Sequence, residues 1–180
     1  MADDDVVDDD GALIEYQAVV EKVDAAVAAA FALAADAVAC ARGCHSCCAP
    51  GLTVLPVEAE AIARHLEHHD VRGRVMAHAD RCAFLDSDGA CSIYDARPIL
   101  CRTHGLPLRM TAHEERRGLR ILEDVSVCEL NFRERQPRPD EVLDAERVLA
   151  LLFTVDRRFR ALAGLDDDGA RVPLAVLADM

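Results

Sequence analysis

The sequence is poor in lysine and has far fewer basic than acidic residues. Lys22 is the single lysine among 20 basic residues, which face 33 acidic ones and leave a formal net charge of −13. Nucleic acids and anionic membrane surfaces are themselves negatively charged and repel a protein of this composition. We therefore expect neither nucleic acid nor a membrane among its partners.

A leader peptide and a long apolar run are also missing. Residues 1–10 read Met-Ala-Asp-Asp-Asp-Val-Val-Asp-Asp-Asp, without the basic and apolar regions of a signal peptide. No run of residues approaches the roughly 18 apolar residues that a membrane-spanning helix needs. These observations predict a cytoplasmic protein, and in that reducing compartment its eight cysteines stay as thiols or thiolates.

Familiar catalytic motifs are absent too, because the sequence contains no glycine-rich phosphate loop, nucleophile elbow or paired-carboxylate motif. The chain of 180 residues is 52% hydrophobic, enough for a single domain with its own core, which needs no disulfide staples. We predict an acidic disordered tail over residues 1–11, followed by one domain over residues 12–180. The core motifs of that domain lie between residues 40 and 128.

Helical periodicity dominates the ends of the chain. Apolar residues recur every three or four positions from Leu13 to Val38, which predicts a helix from about residue 12 to about residue 40. Pro56 is suited to the first turn of a second helix. Further helices are predicted over residues 71–78 and from about Pro139 onwards.

The middle of the chain has weaker signals for strands. Asp88-Gly89 predicts the turn of a small hairpin. Residues 106–112 and 119–127 have β character on either side of a polar turn at residues 114–118. The predicted fold class is therefore mainly α with a small β-hairpin, in which long N- and C-terminal helices surround an irregular, cysteine-rich metal centre.

Four of the eight cysteines lie within nine residues, at Cys40, Cys44, Cys47 and Cys48. The spacing of Cys44 and Cys47 allows both sulfur atoms to approach one ion. Neighbouring side chains diverge by about 100° in a helix and about 180° in a strand. We therefore expect Cys47 and Cys48 to point apart and to serve two neighbouring ions or a multinuclear cluster.

The other four cysteines are spread over the middle of the chain. Cys82 and Cys91 flank the predicted hairpin, and Cys101 follows the break at Pro98 by three residues. We predict that all eight thiols are metal ligands: Cys40, Cys44, Cys47, Cys48, Cys82, Cys91, Cys101 and Cys128. For Cys128 an inert buried thiol is an equal alternative. Eight thiols suit two four-cysteine zinc sites, or one iron–sulfur cluster with thiols left over.

Several histidines accompany the cysteines. His45 and His104 lie inside the motifs, where we expect them to support the ligands or face solvent. His65 and His69 have the spacing of a helical metal pair, but the sequence suggests no third ligand. We therefore expect them to form a solvated, histidine-rich helix end.

The ordered cysteine motifs resemble the YkgJ-type cysteine-cluster family, whose pattern is written CxxCxxCC. The matching segments are Cys40-x3-Cys44-x2-Cys47-Cys48, Cys82-Ala-Phe-Leu, Cys91-Ser-Ile-Tyr and Arg97-Pro98-x2-Cys101-Arg102. The gap of three residues after Cys40 departs from the written pattern, which has two. The resemblance implies chelation of zinc or iron and implies no particular reaction.

The same resemblance draws attention to Arg97 and Arg102 as residues that support a bound cofactor. We expect Arg97 to hold the loop through hydrogen bonds to carbonyl groups. Arg102 is expected to neutralise thiolate charge. The favoured function is a metal-binding protein that holds iron, as an iron–sulfur cluster, or zinc. The alternatives are a metal-dependent redox enzyme that uses the same centre and a zinc-stabilised protein-interaction module.

Overall fold

A computed structural model describes residues 9–41, 43–69, 71, 80–110 and 119–179. In these ranges five α-helices accompany a 3-10 helix and two small sheets of two and four strands. The fold is therefore mixed α/β, and the predicted mainly α class with one hairpin is corrected. Most of the strands are only two residues long, too short to produce the alternating pattern by which strands are predicted.

The helices lie mainly in the two outer thirds of the chain. They are α1 (Asp9–Leu33), α2 (Pro56–His68), α3 (Ile99–Thr103), α4 (Ala145–Leu162) and α5 (Leu174–Ala178), with the 3-10 helix at Pro139–Glu141. Helix α2 begins at Pro56, where the sequence predicts it. Within the described ranges, no helix has the length and apolarity required to cross a bilayer.

The strands are β1 (Thr53–Val54), β2 (Leu108–Arg109), β3 (Leu119–Leu122), β4 (Val125–Cys128), β5 (Leu143–Asp144) and β6 (Val172–Pro173). β1 and β6 form an antiparallel pair, and the larger sheet has the order β3-β4-β2-β5. Residues 119–127, predicted as one strand, instead form most of the β3–β4 hairpin, which turns at Glu123 with a φ of 56°. β2 pairs with β4 and β5.

Helix α1 differs from the prediction at both ends. It begins at Asp9, inside the predicted tail, and it ends at Leu33 rather than near residue 40. Beyond it the chain turns, and the carbonyl of Ala37 accepts a hydrogen bond of 2.7 Å from the N–H of Phe132. Tertiary contacts of this kind override the helical propensity of the alanines. Residues 1–8 and 72–79 lie outside the described residues. Most of the predicted tail and nearly all of the helix predicted over residues 71–78 therefore lie outside them as well.

An ion-pair network fixes the turn after α1. Arg135 contacts Asp36 and the buried Glu141, each at 2.7 Å. Hydrogen bonds from Arg135 lower the pKa of Asp36 to about 2 and also lower the pKa of Glu141. The network therefore anchors the approach to Cys40 on the 3-10 helix.

The long helix predicted at the C-terminus is not the last element. α4 starts six residues after Pro139 and is followed by β6 and the five-residue α5. α4 packs against α1 and α2 in a core that includes Tyr16, Leu152 and Phe159. A second cluster holds Ile62, Phe84 and Ile93, and half-buried Cys82 and Cys91 pack against it.

The start of α2 is attached to two other helices through buried carboxylates. Glu58, 2% exposed, accepts hydrogen bonds from the N–H of Leu55 at 3.0 Å and from the N–H of Ile99 at 2.9 Å. Asp156 on α4 accepts one from the N–H of Val57 at 3.0 Å. Because Ile99 is the first residue of α3, Glu58 joins the N-termini of α2 and α3.

Replacement of Glu58 by glutamine tests this junction. The Glu58→Gln amide must turn an N–H₂ group towards one of the two backbone donors, which leaves that donor without an acceptor. We expect the free energy of unfolding in urea to fall by about 2 kcal/mol. The matched variant Glu60→Gln loses a half-exposed ion pair with Arg64 and should cost less than about 1 kcal/mol. Equal losses for the two variants would contradict the bridging role.

Candidate metal centre

Two tight turns shape the segment around the cysteine doublet. The N–H of Cys48 bonds to the carbonyl of His45 at 3.0 Å, and the N–H of Ala49 bonds to that of Cys47 at 2.8 Å. The thiols of Cys47 and Cys48 are hydrogen-bonded to each other. The prediction that they point apart is wrong, because it assumed helix or strand geometry and the chain here has neither.

The shared hydrogen bond makes the two thiols chemically unequal. It lowers the pKa of Cys47 to about 7, and it raises the pKa of Cys48 well above its usual range, where burial adds to the effect. A thiol that donates to its neighbour stabilises the neighbour's thiolate and holds its own proton more tightly. At neutral pH a substantial fraction of Cys47 is therefore thiolate, while Cys48 keeps its proton.

The segment from Cys82 to Cys91 is tied to this doublet by the backbone. The N–H of Cys82 donates to the carbonyl of Cys48 at 2.9 Å. The hairpin predicted between the two cysteines is reduced to one bridge, Leu85 to Cys91. The Asp86 side chain closes the loop by accepting hydrogen bonds from the N–H groups of Asp88 and Ala90 at 2.9 and 2.8 Å.

The same loop packs closely against the first cysteine segment at Gly89. This glycine has a φ of +76°, and a Cβ atom on it would lie 2.5 Å from Cδ2 of His45. His45, which was expected to support the ligands or face solvent, thus packs its ring against the loop backbone. The predicted Asp88-Gly89 turn is confirmed, and its glycine also provides room for this contact.

Cys101 completes a central group from the first turn of α3. Burial raises its pKa to about 12, and the neighbouring Cys82, Cys91 and Cys47 add smaller effects of the same sign. Burial also raises the pKa of Cys82 and Cys91. We use the term central group for the thiols that influence one another in this way: Cys47, Cys48, Cys82, Cys91 and Cys101.

A second group forms around Cys40. A hydrogen bond with Cys40 lowers the pKa of Cys128 to about 6, with help from the N–H groups of Leu130 and Asn131. The pKa of Cys40 is raised in turn. The two cysteines that the sequence ties least firmly to the motif therefore interact with each other. The lowered pKa of Cys128 favours its thiolate form.

Asn131 fixes the position of Cys40. Its side chain is completely buried; Nδ2 donates to the carbonyl of Gly105 at 2.6 Å and lies 3.3 Å from Sγ of Cys40. Its Oδ1 accepts a hydrogen bond of 2.8 Å from the N–H of Ala39. Sequence reasoning missed this residue, because one asparagine 91 positions from Cys40 carries no local signal.

The remaining cysteine, Cys44, is exposed. Its sulfur lies 4.0 Å from Oγ of Ser46, and its charge acts on the thiol of Cys40. His104 forms the C-cap of α3, where its backbone N–H bonds to the carbonyl of Leu100 at 3.1 Å.

Of the two arginines of the motif, Arg97 bonds to a loop carbonyl as expected, whereas Arg102 has contacts different from those expected. Arg102 is 9% exposed and donates to the carbonyls of Arg97 and Asp95 at 2.7 and 2.5 Å and to Asp24 on α1 at 2.6 Å. Arg102 therefore holds the loop to α1.

Arg97 is the arginine whose charge reaches the thiols. It lowers the pKa of Cys47, Cys91 and Cys101, although it is a smaller influence than burial or hydrogen bonding. Its guanidinium stacks on Tyr94 at 3.6 Å from the ring centroid, and Nε donates to the carbonyl of the same residue at 2.9 Å.

The gathered thiols form a donor set suited to a soft metal. Among the described residues, no three histidine, cysteine, aspartate or glutamate side chains already stand in a geometry that could hold a metal ion. Hydrogen bonds within two of the thiol pairs occupy the sulfur atoms instead. Sulfur ligands of this kind suit zinc and iron, and metal binding displaces thiol protons. The thiols therefore suit either metal. Binding would require the cysteine side chains on the loops to turn their sulfur atoms towards one point.

Comparison with protein families gives one result for this region. Residues 39–125, just under half of the chain, match the sequence model of the CxxCxxCC family, described as "Putative zinc- or iron-chelating domain". This segment is similar to that domain. The match contains every cysteine except Cys128 and confirms the predicted family resemblance. No curated protein and no solved structure gave a significant match to the chain.

Gly105 provides a direct test of the geometry around Cys40. It has a φ of +98°, and a Cβ atom would lie 2.9 Å from Sγ of Cys40. Gly164 also has a positive φ, of +67°, but its Cβ would meet open space. Gly164→Ala should cost about 1–2 kcal/mol from backbone strain alone.

We expect Gly105→Ala to cost at least about 1 kcal/mol more than Gly164→Ala, because the added methyl group must displace a sulfur atom. Urea unfolding of both variants measures this difference. Labelling of the native proteins with a thiol reagent, followed by peptide mapping, should show altered reactivity at Cys40 in Gly105→Ala alone. Equal stability losses with unchanged labelling would contradict the close approach.

Proposed function

We propose that the protein chelates iron or zinc through the thiolates of the central group and that the second group extends the same centre. The observation that supports this most strongly is the convergence of five thiols from three separate segments. These thiols are free, so they add no covalent cross-link to the fold. Metal ligation would explain why the fold brings these thiols together.

An iron–sulfur cluster is the form that we favour. More than four thiols converge, so one tetrahedral zinc ion would leave some of them unused. The hydrogen bond between Cys47 and Cys48 shows that adjacent sulfur atoms can approach the same region. Such a pair suits a cluster with several metal atoms better than it suits a single ion. The cytosol is the compartment that we propose, because the centre requires reduced cysteines.

The surrounding residues have supporting roles in this proposal. Arg97 reduces the cost of gathering thiolates in a protein of net charge −13. Arg102 and Asn131 keep the loops in place through hydrogen bonds to Asp24 and to the carbonyl of Gly105. When bound, the metal would supply either structural cross-linking or electron transfer, and these residues would hold its ligands in both cases.

Metal analysis of anaerobically purified protein tests the proposal. We expect a brown protein with iron and acid-labile sulfide. Colourless protein with stoichiometric zinc would overturn the iron–sulfur form while leaving chelation intact. Folded protein without bound metal would overturn both forms.

Substitution of one central ligand tests which residues hold the metal. Cys101→Ser should reduce the bound metal by at least about tenfold, the loss that even supporting residues of metal sites can cause. Ser46→Ala is the control, because it lies between the cysteines and supplies no thiol. Metal content can be measured by mass spectrometry on variants whose circular dichroism matches the parent. Unchanged metal in Cys101→Ser would exclude that residue from the centre.

A further inference from the structure

A second group of metal-binding side chains lies outside the cysteine segments, at the C-terminal end of α2. A cavity of about 300 Å³ opens there between α1, α2 and the turn at residues 94–96. Its walls include three imidazoles, His65, His68 and His69, together with Asp95. The sequence predicted a solvated helix end here, because it did not reveal that the chain brings Asp95 to the same cavity.

Hydrogen bonds fix the tautomers of two of these rings. Nδ1 of His69 lies 3.0 Å from the carbonyl oxygen of His65, and Nδ1 of His68 lies 2.6 Å from that of Arg64. A carbonyl oxygen can only accept, so each Nδ1 carries the proton and each Nε2 of the neutral ring keeps its lone pair. A backbone carbonyl on the far nitrogen is the usual support of a metal-binding histidine.

His65 and His69 form the closest pair. Their rings stack with centroids 4.1 Å apart and planes inclined by 21°. Two nitrogens bound to one zinc ion stand roughly 3.3 Å apart, given zinc–nitrogen distances of about 2.0–2.1 Å. Rotation about the last side-chain torsion is soft in histidine, so the rings can converge with little movement of the helix.

The electrostatic setting favours a cation at this pair. Burial and the neighbouring His69 lower the pKa of His65, which keeps the ring neutral and able to donate its lone pair. The charge of Asp95 acts in the opposite direction on His65, so this carboxylate lies near the ring. The overall charge of −13 adds long-range attraction for a cation.

We propose that His65 and His69 form a second, exchangeable site for a borderline divalent cation such as Zn²⁺, with Asp95 supplying counter-charge. Because no third ligand converges within the described residues, water would fill the other coordination positions. An open site of two imidazoles binds more weakly than a closed structural site and exchanges its ion readily. The proposal does not depend on whether the thiols bind metal.

Zinc titration by calorimetry tests the site, starting from full-length protein as isolated with whatever metal it carries. We expect the parent to bind one more equivalent of Zn²⁺ than the double variant His65→Gln/His69→Gln does. Zinc taken up by vacant thiols would appear in both proteins, so only the difference counts. Asp95→Asn should weaken the extra event by about two- to fivefold, the effect of one exposed charge.

Glu67→Gln is the matched control, because it removes an exposed charge from the same turn of α2 and does not line the cavity. It should leave the affinity for the extra ion within about twofold. A stoichiometry equal in parent and double variant would overturn the proposal. An extra event lost equally in Glu67→Gln would also overturn it and indicate diffuse attraction by the acidic surface.

Nitrogen-15 spectra of the histidine rings in the parent provide a test that needs no variant. Zn²⁺ should shift Nε2 of His65 and His69 strongly, while the Nδ1 proton of His69 is retained. Shifts confined to other histidines, or none at all, would overturn the assignment even if the double variant failed to fold.

Discussion

The buried carboxylate of Glu58 connects the helical body of the protein to its cysteine-rich region. Its two oxygens accept hydrogen bonds from the entry to α2 and from the first N–H of α3. α3 carries Cys101, and Arg102 on the same short helix holds the turn that precedes it. A helix of five residues has little stability of its own. The position of Cys101 therefore depends on a capping interaction supplied by α2.

The other thiols depend on similar contacts between distant segments. Cys82 and Cys91 pack on the apolar cluster around Phe84, and the backbone of Cys82 is tied to Cys48. Asn131 holds Cys40 in place through a hydrogen bond from its side-chain amide to the sulfur atom. The anchors of Cys82 and Cys91 engage backbone and packing atoms, whereas Asn131 contacts the sulfur of Cys40 itself. The hydrogen bonds between thiols stabilise this arrangement before any metal arrives.

Local signals in the sequence were sufficient for part of the fold and for the family resemblance. Pro56 marked the start of α2, and Asp88-Gly89 marked a turn whose glycine is required. The end of α1 could not be predicted, because Phe132 and Arg135 draw the chain out of a helix that its own residues favour. Contacts between residues that are far apart in the sequence, such as these, leave no periodic or spacing signal.

The orientation of the doublet shows the same limit at shorter range. Side-chain directions follow simple rules in helices and strands, and Cys47 and Cys48 lie in neither. Their convergence depends on two consecutive turns, which are set by hydrogen bonds of the loop. The carbonyl hydrogen bond of Arg97 was predictable, but the role of Arg102 was not, since it follows from how the turn at residues 94–97 meets α1.

The central claim is that thiolates of this chain bind a metal directly. X-ray absorption at the metal edge of protein purified without added metal tests it most directly. The account predicts sulfur scatterers at about 2.3 Å as the main coordination shell, at roughly four per metal atom. A shell of nitrogen and oxygen atoms without sulfur would contradict it.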